Sequence, residues 1–114
     1  MSQKIIQQGE IYWANLEPSF GKEIGKIRPV LILSNNQQNL YSPLVIVLPI
    51  TSSLDKIYSW EIKINLDKKE GKILTDQITA IDKERLGDRI KVKNSWELLD
   101  LAEKALHKVL DFKN

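Results

Sequence analysis

The chain carries two unbroken apolar runs, Val30 to Leu33 and Leu44 to Leu48, and three stretches in which apolar and polar residues alternate. An unbroken run rich in β-branched residues is the pattern of a strand buried on both faces. Alternation is the pattern of a strand with one face inward. In Gly9 to Leu16, Ile11 and Trp13 fall on one face and Tyr12, Ala14 and Leu16 on the other. In Trp60 to Leu66, Trp60, Ile62, Ile64 and Leu66 share a face opposite Glu61, Lys63 and Asn65. In Arg89 to Lys93, Ile90 and Val92 point inward, with Arg89, Lys91 and Lys93 outward. Prolines punctuate the runs. Pro29 cannot donate to a sheet ladder and is expected at the first residue of its strand, while Pro43 and Pro49 bracket the second run. Lys72 to Leu74 leads into Gln77 to Ile81 as one bent strand or two short ones.

The pattern changes period near the end. From Asn94 or Ser95, either of which can cap, a helix is predicted, with Glu97 at capping-box spacing from Asn94. Leu98, Leu101, Ala102, Ala105, Val109 and Phe112 form its apolar stripe, widened by Leu99, Leu106 and Leu110. Glu97, Asp100, Lys104, His107, Lys108 and Asp111 line the polar side. Elsewhere, Asp82 is placed to cap one helical turn through Arg85, which Gly87 ends. The connections are a polar tail from Met1 to Gln8, a loop from Glu17 to Ile27, a polar loop from Asn35 to Asn39, a link from Leu54 to Ser59 and a charged turn from Asp67 to Gly71. Many short strands with hairpin-like loops and one terminal helix predict a mainly β (α+β) fold, a small antiparallel barrel with a C-terminal amphipathic helix, in a single domain spanning residues 1–114.

Composition narrows the classes. Hydrophobic residues make up 42% of 114, enough for a packed core. The absence of cysteine excludes a disulfide scaffold, a thiol nucleophile and a thiolate zinc site. No apolar signal core opens the chain, and the run from Leu44 to Leu48 is too short to span a bilayer, so a soluble cytoplasmic protein without membrane association is expected. The net charge of +2 permits a polyanionic partner without demanding one. His107 is the single histidine, on the charged side of the helix, so a two-histidine acid–base pair within one subunit is excluded. The acidic residues are dispersed, and neither a metal site nor a cofactor is expected.

The candidate chemistry sits at the ends of the two apolar runs. Arg28 precedes Pro29, which holds it extended where a loop enters the core. A guanidinium offers a rigid fork of donors suited to phosphate. Leu44 to Leu48 continues through Pro49 and Ile50 into three hydroxyls, Thr51, Ser52 and Ser53. Taken as residues alone, Arg28 also fits a rim ion pair, Thr51 a strand end bonded to backbone, and Asp76-Gln77 a hairpin turn.

Four stretches in order, Gly9-Glu10-Ile11-Tyr12-Trp13, Lys26 to Asn35, Pro43 to Ser53 and Thr75-Asp76-Gln77-Ile78, resemble the MazF/PemK-like toxins. The resemblance runs from Gly9 to the terminal helix. It implies an SH3-like barrel, a symmetric homodimer and a metal-independent endoribonuclease cutting single-stranded RNA, held inactive by an antitoxin whose acidic, disordered segment folds over it. It ties Arg28 and Thr51 to catalysis, offers Asp76 for proton transfer, and makes Ser52, Ser53 and Gln77, with Lys22, Glu23 and Lys26 of the loop, candidate RNA contacts. Some relatives carry a histidine where this chain has Lys22 and Glu23, and some an arginine where it has Leu74, which leaves the acid and base roles open. Two other functions fit the same fold: a gyrase-poisoning toxin, and an SH3-like module that binds nucleic acid without cutting it.

Overall fold

The computed structural model describes residues 5–112. Seven strands form one antiparallel sheet: β1 (Ile11–Asn15), β2 (Ile27–Ile32), β3 (Leu44–Thr51), β4 (Ile62–Leu66), β5 (Lys69–Ile73), β6 (Thr79–Asp82) and β7 (Leu86–Ile90). Two α-helices accompany it, α1 (Asn36–Tyr41) and α2 (Ser95–Val109). The order across the sheet is β4-β5-β3-β2-β1-β7, with β6 paired to β3 off that path. β3 is the spine. Its first half, Leu44–Val47, pairs with β6, its middle with β2, and its last two residues, Ile50 and Thr51, with β5. The sheet curls into a barrel-like body without closing.

Two cores explain the unbroken apolar runs. Tyr12, Ala14, Leu16, Val30, Ile32, Val45 and Val47 pack on one face of the sheet with Ile81 and Leu86. Ile11, Leu31, Leu48, Ile50, Ile62 and Ile73 pack on the other, beneath Leu98, Ala102 and Ala105 of α2. Neighbouring residues along β2 and β3 therefore enter different cores. Ile64 and Leu66 of β4, and Ile90 and Val92 at and beyond the end of β7, are half-buried against the core under the helix, as their alternation predicts.

Several expectations are corrected. Pro29 lies inside β2, opposite Trp13 of β1; β2 pairs with β3 only from Val30 onward, so the proline sits where the strand has one neighbour. Asn35 to Asn39 is no loop. Asn35 caps α1 by accepting the Gln38 N–H, and the buried Asn39 side chain exchanges hydrogen bonds with Ser34. Ile6 of the supposed tail enters a core, and the Gln8 side chain donates to Leu33 O; Met1 to Lys4 lie outside the described residues. Trp60 precedes β4 and stacks on Tyr58 at 4.6 Å, and Glu61 is no solvated residue, because its carboxylate pairs with Lys72 at 2.9 Å. Gly87 belongs to β7 and so does not merely end a turn, although Asp82 does cap that turn by accepting the Glu84 N–H. On α2, Leu101 is exposed beside the small contact residues Ala102 and Ala105, Val109 is only half-buried, and Phe112 lies past the helix end, 92% exposed.

Candidate active site

Arg28 and Thr51 end the two central strands that run antiparallel beside each other. β2 and β3 pair as Val30 with Pro49, Leu31 with Leu48 and Ile32 with Val47. The pairing stops at Val30 and Pro49, and Arg28 and Thr51 each lie two residues beyond it at the same end. Both line one groove of about 1110 Å³, with Ser52 beside them. The groove runs between the β4–β5 hairpin on one side, from Ile64 to Gly71, and Trp13 of β1 with Arg89 to Lys93 on the other. It occupies the gap where the sheet fails to close.

Local contacts fix each member. Arg28 is half-buried, and its Nε donates to Gly25 O at 3.2 Å. Among the described residues no carboxylate pairs with it. The remaining guanidinium donors are thus available to a ligand. Thr51 is 7% exposed, and its Oγ1 accepts the Ser53 N–H at 3.2 Å. That hydroxyl keeps its own proton to donate. Thr51 pairs with Lys72 of β5, and its carbonyl lies so near Gly71 that a Cβ there would sit 2.7 Å from it. Glycine at 71 is what lets β5 close on the Thr51 end of β3. Lys72 Nζ donates both to Glu61 and to Lys56 O, which ties down the segment following Thr51.

The remaining candidates divide. Glu23, Asp76 and Gln77 line a second cavity of about 420 Å³, together with Ile24, Pro49 and Arg85. Asp76 is exposed in one turn of 3₁₀ helix, Thr75–Gln77, rather than on a strand at the Arg28 rim. Gln77 Oε1 accepts the Ile24 N–H at 2.8 Å, so it holds the Leu16–Lys26 loop. Glu23 accepts the Phe20 N–H within that loop. Lys26 has a positive φ of 67° and donates its N–H to Glu17. Lys22, Lys26 and Ser53 are exposed and line neither cavity. No cluster of three His, Asp or Glu side chains able to hold a metal occurs among the described residues.

Sequence reasoning missed several lining residues. Trp13, Lys69, Arg89, Lys91 and Lys93 face the groove, and Arg85 the second cavity, where it also donates to Asn15 O and Glu17 O. The signal was present in the alternation of Arg89, Lys91 and Lys93. Reading them only as solvated left out what they surround. A tie at the groove's edge completes the picture. Arg89 pairs with Glu10 at 2.6 Å, and Tyr12 Oη donates to the same carboxylate. Burial pushes the Glu10 carboxyl up, but the Gln7 N–H, Arg89 and Tyr12 outweigh it and hold it below its ordinary value. Burial first, then Glu10, pushes the Tyr12 hydroxyl well up.

Residues 7–110 match the family described as PemK-like, MazF-like toxin of type II toxin–antitoxin systems. The chain belongs to that family. Among curated members, the Endoribonuclease EndoA of Bacillus subtilis (strain 168) is 36% identical over 108 residues, covering 90% of this chain and 91% of its own length. Among solved members, MazF of Deinococcus radiodurans superimposes with a TM-score of 0.83 at 24% identity, over 96% of this chain and 100% of that one. A mycobacterial endoribonuclease in complex with its cognate antitoxin superimposes with a TM-score of 0.70 at 20% identity, over 96% of each chain. The MazF-like fold is therefore shared along essentially the whole domain. No helix among the described residues is long and apolar enough to cross a membrane.

Proposed function

We propose that this chain is a sequence-specific, metal-independent endoribonuclease that cuts single-stranded RNA, the toxin of a toxin–antitoxin pair. One observation carries the reading. A half-buried arginine with no carboxylate partner among the described residues shares a groove with the hydroxyl that ends the neighbouring strand. In-line attack by the ribose 2′-hydroxyl on the adjacent phosphate needs no protein nucleophile. The protein has to orient the groups and stabilise the added negative charge. In this reading Arg28 binds the equatorial phosphate oxygens as charge gathers there, and Thr51 Oγ1 donates to one of them. The attacking 2′-oxygen loses its proton, the P–O5′ bond breaks, and the departing 5′-oxygen gains a proton. The products are a 2′,3′-cyclic phosphate and a 5′-hydroxyl. Asp76 is the candidate for proton transfer. RNA lying across the end of β3 would reach both cavities, since Thr51 lines one and Pro49, two residues earlier, lines the other.

The endoribonuclease names of the curated relatives and the antitoxin complex of a structural neighbour support the assignment. The partner we assign is an antitoxin whose acidic, disordered segment competes with RNA for Arg28. We also assign a symmetric homodimer, for which exposed Trp96, Leu101, Leu110 and Phe112 on and after α2 supply apolar surface. The setting we assign is the cytoplasm.

The test uses long single-stranded RNA in EDTA. Arg28→Ala should slow cleavage roughly 10²–10³-fold, the scale of one transition-state donor. Arg28→Lys should not restore the rate, because an ammonium lacks the planar fork. RNA with 2′-deoxyribose at the cut position should resist. Normal cleavage of that RNA, or loss of all cleavage in EDTA, overturns the mechanism.

A further inference from the structure

The wall of the groove opposite the β4–β5 hairpin has a composition that the cleavage chemistry does not use. Trp13 sits on the β1 face toward the groove, opposite Pro29 and next to Arg28 in the β1–β2 pairing, and is 43% exposed. An indole on a central strand is normally covered. Here it lies at an irregularity in the β1–β7 pairing, where the register shifts between Tyr12 and Ala14, and the residue near it on β7 is Gly87, which has no side chain to cover it. Beyond β7, Lys91 and Lys93 are exposed and line the same groove. Neither makes an ion pair among the described residues, whereas Arg89 next to them is already held by Glu10. The wall thus presents an open aromatic face and two unpaired cations, a few residues from the phosphate-binding arginine. Asp67, Glu70 and Glu97 are the groove's anions, the first two on the hairpin side.

We propose that Trp13, Lys91 and Lys93 form an accessory subsite for single-stranded RNA. One base flanking the cut stacks on the Trp13 indole, and the backbone beyond it runs along Lys91 and Lys93. This rests on the endoribonuclease reading and extends it from the scissile phosphate to the neighbouring nucleotides. Single strands are the substrate that this chemistry fits. Their bases expose π-faces that every aromatic platform can take, and their phosphates are spaced for a short cationic track. A duplex hides its base faces and has no use for the indole. The groove volume, about 1110 Å³, is larger than one scissile linkage requires.

The probe is a fully 2′-O-methylated RNA strand, which the protein binds and has no 2′-hydroxyl with which to cut. Lys91→Ala with Lys93→Ala should weaken its binding and flatten the dependence of log K on log salt by about 1.4, roughly 0.7 for each lost phosphate contact. Trp13→Ala should weaken binding roughly 5- to 150-fold, the range for one stacked base, while Trp13→Phe retains most of it. With Trp60→Phe and Trp96→Phe leaving Trp13 the only indole, added RNA should quench its fluorescence. All variants are compared at matched melting temperature. For cleavable RNA, KM should rise in the lysine variant with kcat little changed. An unchanged salt slope together with unquenched Trp13 overturns the subsite. If instead the lysine variant loses an acidic peptide such as polyglutamate and keeps the RNA, the wall serves a protein partner and the proposal fails. Arg28→Ala runs alongside. Full cleavage by that variant sinks the underlying mechanism, a result distinct from any failure of the wall.

Discussion

The sheet centre and the Leu16–Lys26 loop flank the same pair of residues and are held by different forces. Val30, Leu31, Ile32, Val45, Val47 and Leu48 have no exposed surface, and each sits in one of two cores. The loop is largely exposed and is tied by a handful of polar contacts, from Gln77 to Ile24, Glu17 to Lys26, and Arg85 to the carbonyls of Asn15 and Glu17. A side chain at the end of a buried strand can be moved only by disturbing a core. One on a tethered loop can be moved by deleting a single hydrogen bond. The contrast sets the proposed catalytic pair, Arg28 and Thr51, on the part of the molecule that resists change, and the loop candidates, Lys22, Glu23 and Lys26, on the part that tolerates it.

The largest test of this contrast is Leu48→Ala. The side chain is fully buried in the core under α2. Its removal should cost about 2–5 kcal/mol in urea denaturation, while folded molecules keep their cleavage rate at low temperature. A loss below about 1 kcal/mol would mean that the core does not set the rigidity ascribed to it. A smaller effect is expected from Gln77→Leu, which deletes the tether at Ile24. Stability should fall by about 0.5–1.5 kcal/mol, and limited trypsin digestion should cut faster at Lys22 and Lys26. A drop as large as that of Leu48→Ala would erase the distinction between the regions.

The smallest effect is one of pH, at the polar tie between Glu10, Tyr12 and Arg89. The Glu10 carboxyl titrates below its ordinary 4.5 in the folded chain. Its contribution is therefore complete above the usual carboxylate range and is lost as pH falls through the folded value. Tyr12 has the opposite sense. Its folded state holds the proton more tightly, so that share is lost as pH rises above 10.0. Thermal melting from acid to alkaline pH should show both declines, and Glu10→Gln should flatten the acid side. An acid limb unaltered in that variant would assign the decline to other carboxylates.

Much of the fold was legible because burial writes itself into sequence. The unbroken runs at Val30 and Leu44, the alternation of Ile62, Ile64 and Leu66, and the small contact residues Ala102 and Ala105 each carry a period. What failed to show has no period. α1 is six residues long and held by one cap and a buried amide, too short to leave a stripe. Glu61 reads as a surface charge until Lys72, eleven residues on, is brought against it. At the site, the placement of Arg28 and Thr51 followed from where two strands begin and end. Asp76 did not follow, because whether a short segment is strand or 3₁₀ turn decides which cavity it faces. The exposure of Trp13 depended on a register shift, a pairing fact absent from any single strand.

The main path of the unclosed sheet ends on β4 and β7, and the end strands of an open sheet are where another extended chain would pair. This protein sets charged side chains along both. Lys63 lies within β4, Asp88 and Arg89 within β7, and Lys91 and Lys93 just past it. Charge on an edge opposes strand-to-strand aggregation, because the like charges of a second copy would have to come together. Lys91 and Lys93 therefore guard one margin of the seam as well as facing the groove. Apolar residues at those two positions would leave a folded protein that precipitates at concentrations where the original stays dispersed.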